Sequence, residues 1–472
     1  MQVSLADSRV KQLWVQVHSS LWFVPTIVTL TLMLLALSLV ELDRHMGEVL
    51  LERWPSLFTA DAEGARSLLS AIAGAMATIA GVTFSITMVA LALASGQYTS
   101  RVLRNFMRDR GNQTVLGIFI GIFLYCLLVL RAISEQPEPF VPASAVLGSV
   151  ILSVLGSGAF IFFIHHISSA IQADEMARAI TRETLHMMER YYPCETADRG
   201  RRQARHYPDV GAWHGVPARQ WGTIQTVAEM QLLTWACAHD AIVRIERKPG
   251  DFINIGETLV SVAMPTAPDE SMVKKLNAAY GVDAFRTLDQ DPDFGIRQLV
   301  DMALKALSPG INDSTTAVTC MDHIGVILIF CTQRNLTPLN RYDGDGQLRV
   351  ISNGTDFAQL VRLAFRQVAE SAQGNTEVLL RMLDTIERTA KTCRRDAERC
   401  ALWRELEVIG DIALHSAKSQ KAKEQLDTRL HGLKEMLTLR SDQVCESETR
   451  LKDGHYASPC QVHDAPNSNH CS

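Results

Sequence analysis

Residues 67–95 read SLLSAIAGAMATIAGVTFSITMVALALAS, a stretch with no ionisable side chain. Within it Ser67, Ala71, Gly74, Thr78, Gly81, Ser85, Met88, Ala92 and Ser95 are separated by alternating steps of four and three. The spacing averages about 3.5 residues, so these positions share one face of a helix. All but Met88 are small. Leu68, Leu69, Ile72, Ile79, Val82, Phe84, Ile86, Val89 and Leu91 occupy the other faces. A helix apolar all round and longer than about 20 residues spans a membrane. A seam of small residues lets a second backbone approach closely, or leaves room for something to pass. Gly74, Thr78, Gly81 and Ser85 are therefore expected either to pack against another helix or to line a pore.

Bulk composition conceals this. Of 472 residues 21% are charged and mean hydropathy is +0.05, values that a soluble protein also has. The average mixes an apolar part, residues 21–171, with a water-soluble part, residues 172–472. A formal net charge of −5 argues against general nucleic-acid binding.

Three more spans are expected. Leu21–Val40 is introduced by Trp22, an interfacial residue by type. Thr114–Ile133 carries Gly117-x-x-x-Gly121, a close-packing motif. Val141–Ile171 contains Gly148, Gly156, Ser157 and Gly158. Orientation follows from Lys and Arg in the short loops. Arg9 and Lys11 precede span one, Arg101, Arg104, Arg108 and Arg110 follow span two, and Arg178, Arg182 and Arg190 follow span four. The loop 134–140 has neither Lys nor Arg, and the loop 41–66 has three Arg against six acids, which weigh little. Both termini are expected in the cytoplasm. The apolar run of span one is too long for a signal peptide. Of ten cysteines, Cys126 lies in span three and the others follow span four, outside the predicted external loops. With no Cys-x-x-Cys, they read as reduced cytosolic thiols rather than zinc or redox ligands.

The expected fold is α-helical and membrane-embedded, with four transmembrane helices followed by a mixed α+β cytoplasmic domain. Residues 1–20 form a cytoplasmic segment and 21–171 the transmembrane domain. Residues 172–210 form a juxtamembrane helix and basic linker. Residues 211–265 form a small β-rich module, 266–440 a helical domain and 441–472 a polar, disordered tail. In the linker, Arg199-Gly-Arg-Arg-Gln-Ala-Arg205 is a solvated connector or a contact with anionic headgroups. In the β-module, Thr223–Val227, Ala241–Lys248 and Thr258–Val262 are β-prone, with turns at Pro249-Gly250-Asp251 and Gly256-Glu257. Those turns are similar to the ones in biotinyl- and lipoyl-type domains, but no matching carrier Lys is visible.

Asp291-Pro292-Asp293 starts a helix whose apolar stripe includes Phe294, Ile296, Leu299, Val300 and Ala303. It stops at Ser308-Pro309-Gly310, and Asn312-Asp313-Ser314 caps a second helix, Thr315–Phe330. The loop of Ser308, Pro309, Gly310, Asn312 and Asp313 is either a packing corner or a pore-mouth or ligand-binding loop. Asp301, Asp322 and His323 lie on these helices, but no nucleophile elbow or His-Glu-x-x-His motif accompanies them. Neither an enzyme nor a cofactor is expected. Residues 355–440 read as two helices, one with Phe357, Leu360, Val361, Ala364, Phe365 and Val368, the other with Leu402, Leu406, Ile409, Ile412 and Ala413.

Phe84-Ser-Ile-Thr-Met-Val-Ala-Leu, Ser95-Gly-Gln-Tyr, Arg101-Val-Leu-Arg-Asn-Phe-Met-Arg-Asp-Arg110 and Phe294-Gly-Ile-Arg-Gln-Leu-Val-Asp-Met-Ala-Leu-Lys-Ala-Leu-Ser-Pro-Gly-Ile-Asn-Asp313 resemble a bacterial family known as domain of unknown function 2254. The resemblance covers roughly residues 10–410. It implies a multi-span inner-membrane protein with a cytoplasmic domain and supplies no activity. Where that family commonly has proline after Ile-Asn-Asp, this chain has Ser314.

Two readings of function follow. One is a homo-oligomeric membrane scaffold or sensor. Its seam is a dry helix interface, Arg101, Arg104 and Arg108 contact anionic headgroups, and its cytoplasmic part binds a partner or ligand. The other is a homo-oligomeric channel or transporter, with span two lining the pore and the same Arg forming anion-favouring rings at its mouth.

Overall fold

The computed structural model describes residues 22–53, 62–97, 110–134, 140–170, 172–192, 212–334, 336 and 340–438, with backbone alone at 46–53, 93–97 and 169–170. The chain divides into two compact units, Met1–Arg178 and Ala179–Ser472.

The first unit contains four long helices, α1 (Phe23–Arg53), α2 (Ala62–Gln97), α3 (Arg110–Ala132) and α4 (Ala143–Ala170). α3 is the central one and packs against the other three. Its buried stripe, Val115, Phe119, Ile122, Cys126 and Val129, recurs at steps of four and three, the pattern that keeps one face on its neighbours. A second stripe uses glycine. A Cβ at Gly117 would lie 2.8 Å from Pro25 Cα, and one at Gly121 would lie 3.3 Å from Thr29 Cα. The motif thus brings α3 against the backbone of α1, where packing rather than the hydrophobic effect holds helices together. Gly156 of α4 similarly seats Ile122 and Met76. Leu30, Leu34 and Leu37 of α1, Phe84 and Val89 of α2, and Val154, Leu155 and Ile161 of α4 point outward and are exposed. That apolar exterior suits lipid.

One acid is buried among the described residues of this unit. The Asp43 carboxylate of α1 accepts hydrogen bonds from the Ser144 and Ala145 N–H groups at 3.0 and 3.2 Å. These are two of the N–H groups that the first turn of α4 leaves without intrahelical partners. Tyr125 Oη of α3 donates to Ala145 O at 2.7 Å. The loop before α4 is closed by paired hydrogen bonds between Ser134 and Phe140, at 3.1 and 2.9 Å.

The division between the units falls within α5 (Ala173–Tyr191). The second unit is a mixed α/β region. Its strands are β1 (Trp213–Pro217), β2 (Gly222–Val227), β3 (Ile242–Ile245), β4 (Phe252–Ile253), β5 (Thr258–Ala263), β6 (Tyr280–Asp283), β7 (Arg341–Tyr342) and β8 (Leu348–Ile351). They form a five-stranded sheet, β1-β5-β3-β8-β7, and a three-stranded sheet, β4-β2-β6. Neighbours are antiparallel except β3 and β8. Val216, Ile224, Val243, Val260, Val262 and Val350 share one core with α6 (Glu229–Ala238) and Leu276 of α7 (Glu270–Asn277). Strands beyond residue 265 were not read from the sequence. β8 pairs with β3 across about a hundred residues, which no local pattern announces.

The helical part comprises α8 (Pro292–Ala306), α9 (Ser314–Thr332), α10 (Phe357–Ser371), α11 (Thr376–Thr392), α12 (Asp396–Ser416) and α13 (Gln420–Thr438). Residues 355–440 therefore hold four helices, not the two expected. Gly374 at φ +75° and the Asn375 cap separate α10 from α11, and Cys393-Arg394-Arg395 separates α11 from α12. α9 packs on α8 and α11, with Gly325 bringing Thr385 close. α9 is also long and apolar enough to cross a membrane, as are α1 to α4, which makes five candidate helices among the described residues where the sequence suggested four.

Candidate functional site

The seam of α2 faces away from its own bundle. Ser67, Ala71, Gly74, Thr78, Gly81, Ser85, Met88 and Ala92 are all exposed. The buried stripe of α2 is Ala65, Leu69, Ile72, Ala73, Met76, Thr83 and Ala90, rotated from it. A Cβ at Gly74 or Gly81 would meet nothing within 4 Å. These two glycines differ from Gly117 and Gly121, which are filled from within the chain. The Thr78 hydroxyl donates to Gly74 O at 2.9 Å, so its hydrogen bond is met locally and the seam has a dry surface there. Ser95 lies among the residues of backbone alone, and Arg101, Arg104 and Arg108 lie outside the described residues, as do Arg199–Arg205 and 441–472.

In the second unit, Asp313 is the N-cap of α9. Its carboxylate accepts from Thr316 N at 3.0 Å and from Thr316 Oγ1 at 2.5 Å. These bonds hold its carboxyl below the usual aspartate range. Asn312 takes φ +50°, a left-handed conformation that Asn tolerates, and Asp313 N donates back to Ala306 O at 2.8 Å. Ser308 Oγ donates to Lys305 O at 2.7 Å, while Pro309 and Gly310 are exposed. Asn375 caps α11 through Val378 N and also donates to Ser314 Oγ at 2.6 Å. The loop is thus a tie between two helix starts, and Ser314 supplies an acceptor that proline lacks.

The acids and histidine nearby are dispersed among separate partners. Asp301 pairs with Arg297 at 3.1 Å, and Asp322 with Arg381 and Arg388 at 3.2 Å each. His323 Nδ1 lies 3.0 Å from Thr181 Oγ1. Among the described residues, no three His, Cys, Asp or Glu are grouped to hold a metal.

A buried ionic cluster was missed. Asp291, 2% exposed, caps α8 through Phe294 N and accepts two bonds from Arg286 at 2.5 and 3.0 Å. Burial pushes its carboxyl up, against the pull of Arg286. Lys248 pairs with Asp293 at 3.1 Å, and the Lys248 N–H donates to Asp251 Oδ2 at 3.0 Å. Gly250, at φ +94°, passes so close to the Asp291 carboxylate that a Cβ would collide with it. The cluster gathers two turns some forty residues apart, which sequence spacing does not connect. The signal was present only as acids and glycine crowded at both turns.

The three-stranded sheet carries an exposed apolar patch. Trp221, Phe252, Ile255 and Phe285 are each more than half exposed. β2 joins them, since Gly222 pairs with Ile253 and Thr223 with both Phe252 and Asp283. Cys126, Cys237, Cys320, Cys331 and Cys393 are free thiols. Cys400 is disulfide-bonded, which corrects the reading of every cysteine as a reduced thiol.

Comparison with known proteins gives a family and no activity. A family model described as predicted membrane protein (DUF2254) matches residues 18–388. The uncharacterized protein MT1328 of Mycobacterium tuberculosis is 31% identical over 354 residues, 73% of this chain and 67% of its own. The uncharacterized protein Mb1321c of Mycobacterium bovis is similar to the same extent, 31% over 354 residues. No solved structure matches. The chain, with several apolar helices and an α/β unit, belongs to the DUF2254 family of predicted membrane proteins.

Proposed function

We propose that this protein is a self-associating scaffold or sensor of the bacterial inner membrane, with α2 as the contact between copies. The observation that carries the reading is the outward seam. Eight small or slender positions run the length of an apolar helix, and none is used by the chain's own bundle. Small residues let helices approach until van der Waals contact and Cα–H contacts hold them, which is how association proceeds where lipid removes the hydrophobic drive. In this reading α1 to α4 are the spans and α9 is a core helix of the cytoplasmic part. Its partners support that choice, because Asp322 is held by Arg381 and Arg388 and an ionised pair at the bilayer centre is costly. The termini and residues 172–472 are cytoplasmic, as the Lys and Arg distribution favours. The patch of Trp221, Phe252, Ile255 and Phe285 is the surface offered to a partner.

Oxidative cross-linking tests the contact. Thr78→Cys on the seam is expected to give a covalent dimer in membranes, and Val154→Cys on the exposed face of α4 is not. Equal cross-linking at both positions, or none at Thr78→Cys, sinks the reading. One observation favours the pore alternative. Ser67, Thr78 and Ser85 place hydroxyl-bearing residues on the exposed face, and repeated about an axis they line a polar path. Current across planar bilayers that Gly81→Leu abolishes, with the oligomer intact, selects the pore over the scaffold.

A further inference from the structure

We propose that the groove between α3 and α4 holds one anionic phospholipid, an acyl chain along its floor and the headgroup phosphate on Arg110. The groove is about 490 Å³, within the range of roughly 300–1,000 Å³ usual for small-molecule sites. It exists because the two helices separate. At Gly156 they are tight, with Ile122 and Met76 filling the glycine notch. Toward the start of α3 they open, and a Cβ at Gly158 would meet nothing within 4 Å. Ile118, Gly158 and Phe162 make an apolar floor, and Arg110 stands at one end.

The chemistry of that end selects the ligand. Arg110 makes no ion pair or hydrogen bond with any described residue. It opens α3, where the helix dipole adds positive potential. On the facing helix, His166 stacks on Phe162 with ring centroids 5.4 Å apart. The polar end of the groove thus coincides with the helix ends and its apolar floor with the hydrocarbon depth. A guanidinium with five donors matches a phosphate. A partner helix would have to bring a matching acid, and α2, the helix with the unpartnered seam, has none between Ser67 and Ser95. An acyl chain ending in a phosphate meets both requirements at once.

The test uses the full chain in nanodiscs with a photoactivatable diazirine-acyl phosphatidylglycerol, against the phosphatidylcholine analogue. Cross-linked peptides are mapped by mass spectrometry. Label from phosphatidylglycerol is expected on peptides containing Gly158–Phe162 and Thr114–Ile118. Gly158→Leu, which fills open space without a clash, should remove it. Arg110→Gln should lower the phosphatidylglycerol label roughly fivefold, to the phosphatidylcholine level. Both variants are checked for wild-type elution as folded protein. Label spread evenly over the outer faces of α1 and α4 and untouched by Gly158→Leu overturns the site. Equal labelling by the two lipids overturns the anionic preference. A change of protomer number in Gly158→Leu shows a second copy in the groove and overturns it as well.

Discussion

Gly81 and Gly117 are both helix glycines in one bundle, yet leucine at each position has a different consequence. At Gly117 the added Cβ alone lies 2.8 Å from Pro25 Cα, so α1 and α3 must move apart. Overpacking of this kind costs about 1–3 kcal/mol, read as a lower unfolding temperature of the purified protein. At Gly81 the new side chain enters open space. Gly81→Leu should therefore keep the unfolding temperature of the protomer and lose the Thr78→Cys cross-link, and alanine there should be nearly silent. A Gly81→Leu protein that still cross-links would show that the seam glycines do not make the close contact between copies. The stripe itself was legible, because a period near 3.5 in a chargeless run needs no tertiary information. Its direction was not legible. Gly74 and Gly117 look alike in sequence, and only the packing of α1 against α3 separates a filled notch from an empty one.

Caps decide the helical elements of the second unit. Asp269, Asp291, Asp313, Asp356 and Asn375 each accept a backbone N–H at the start of a helix. Asp313→Ala should cost about 1 kcal/mol of stability. The folded pKa of Asp313 is lowered by its bonds to Thr316. Its contribution is therefore complete above the ordinary aspartate range and is lost as pH falls through that range toward the lower folded value. Asp313→Asn keeps an N-cap side chain and removes the titration, so its acid limb should be flatter than wild type in denaturant titrations run at several pH values. An identical limb would assign the pH dependence to other groups. The starts of α8 and α9 were readable because Asp-Pro and Asn-Asp-Ser are local signals. β3 was readable from alternation and β5 from the turn that leads into it. β8 was not, since Leu348-Arg-Val-Ile351 becomes a strand by pairing with β3, and the Lys248–Asp293 pair likewise joins turns 45 residues apart.

At the scale of the whole molecule the membrane assignment rests on the family and on the apolar helices, and the orientation on Lys and Arg. Membrane-impermeant thiol reagent applied to intact cells should label single cysteines placed at Asp61 or Glu138. It should not label Cys237, which is an exposed free thiol and is reactive once the membrane is opened. The reverse pattern inverts the topology and with it the cytoplasmic assignment of Trp221 and its neighbours. The hydrogen bonds of Asp43 bear on how the chain is made. Its carboxylate is in α1, and the N–H groups it holds are at residues 144 and 145, about a hundred residues later. A ribosome delivers α1, α2 and α3 before those groups exist. Until the fourth helix enters, the first one carries an acid without its native donors, and the tip of α4 in turn needs that acid when it arrives. The first and last helices of this unit therefore complete each other only at the end of insertion, and a chain truncated after α3 should present Asp43 to the quality-control proteases as an unfinished product.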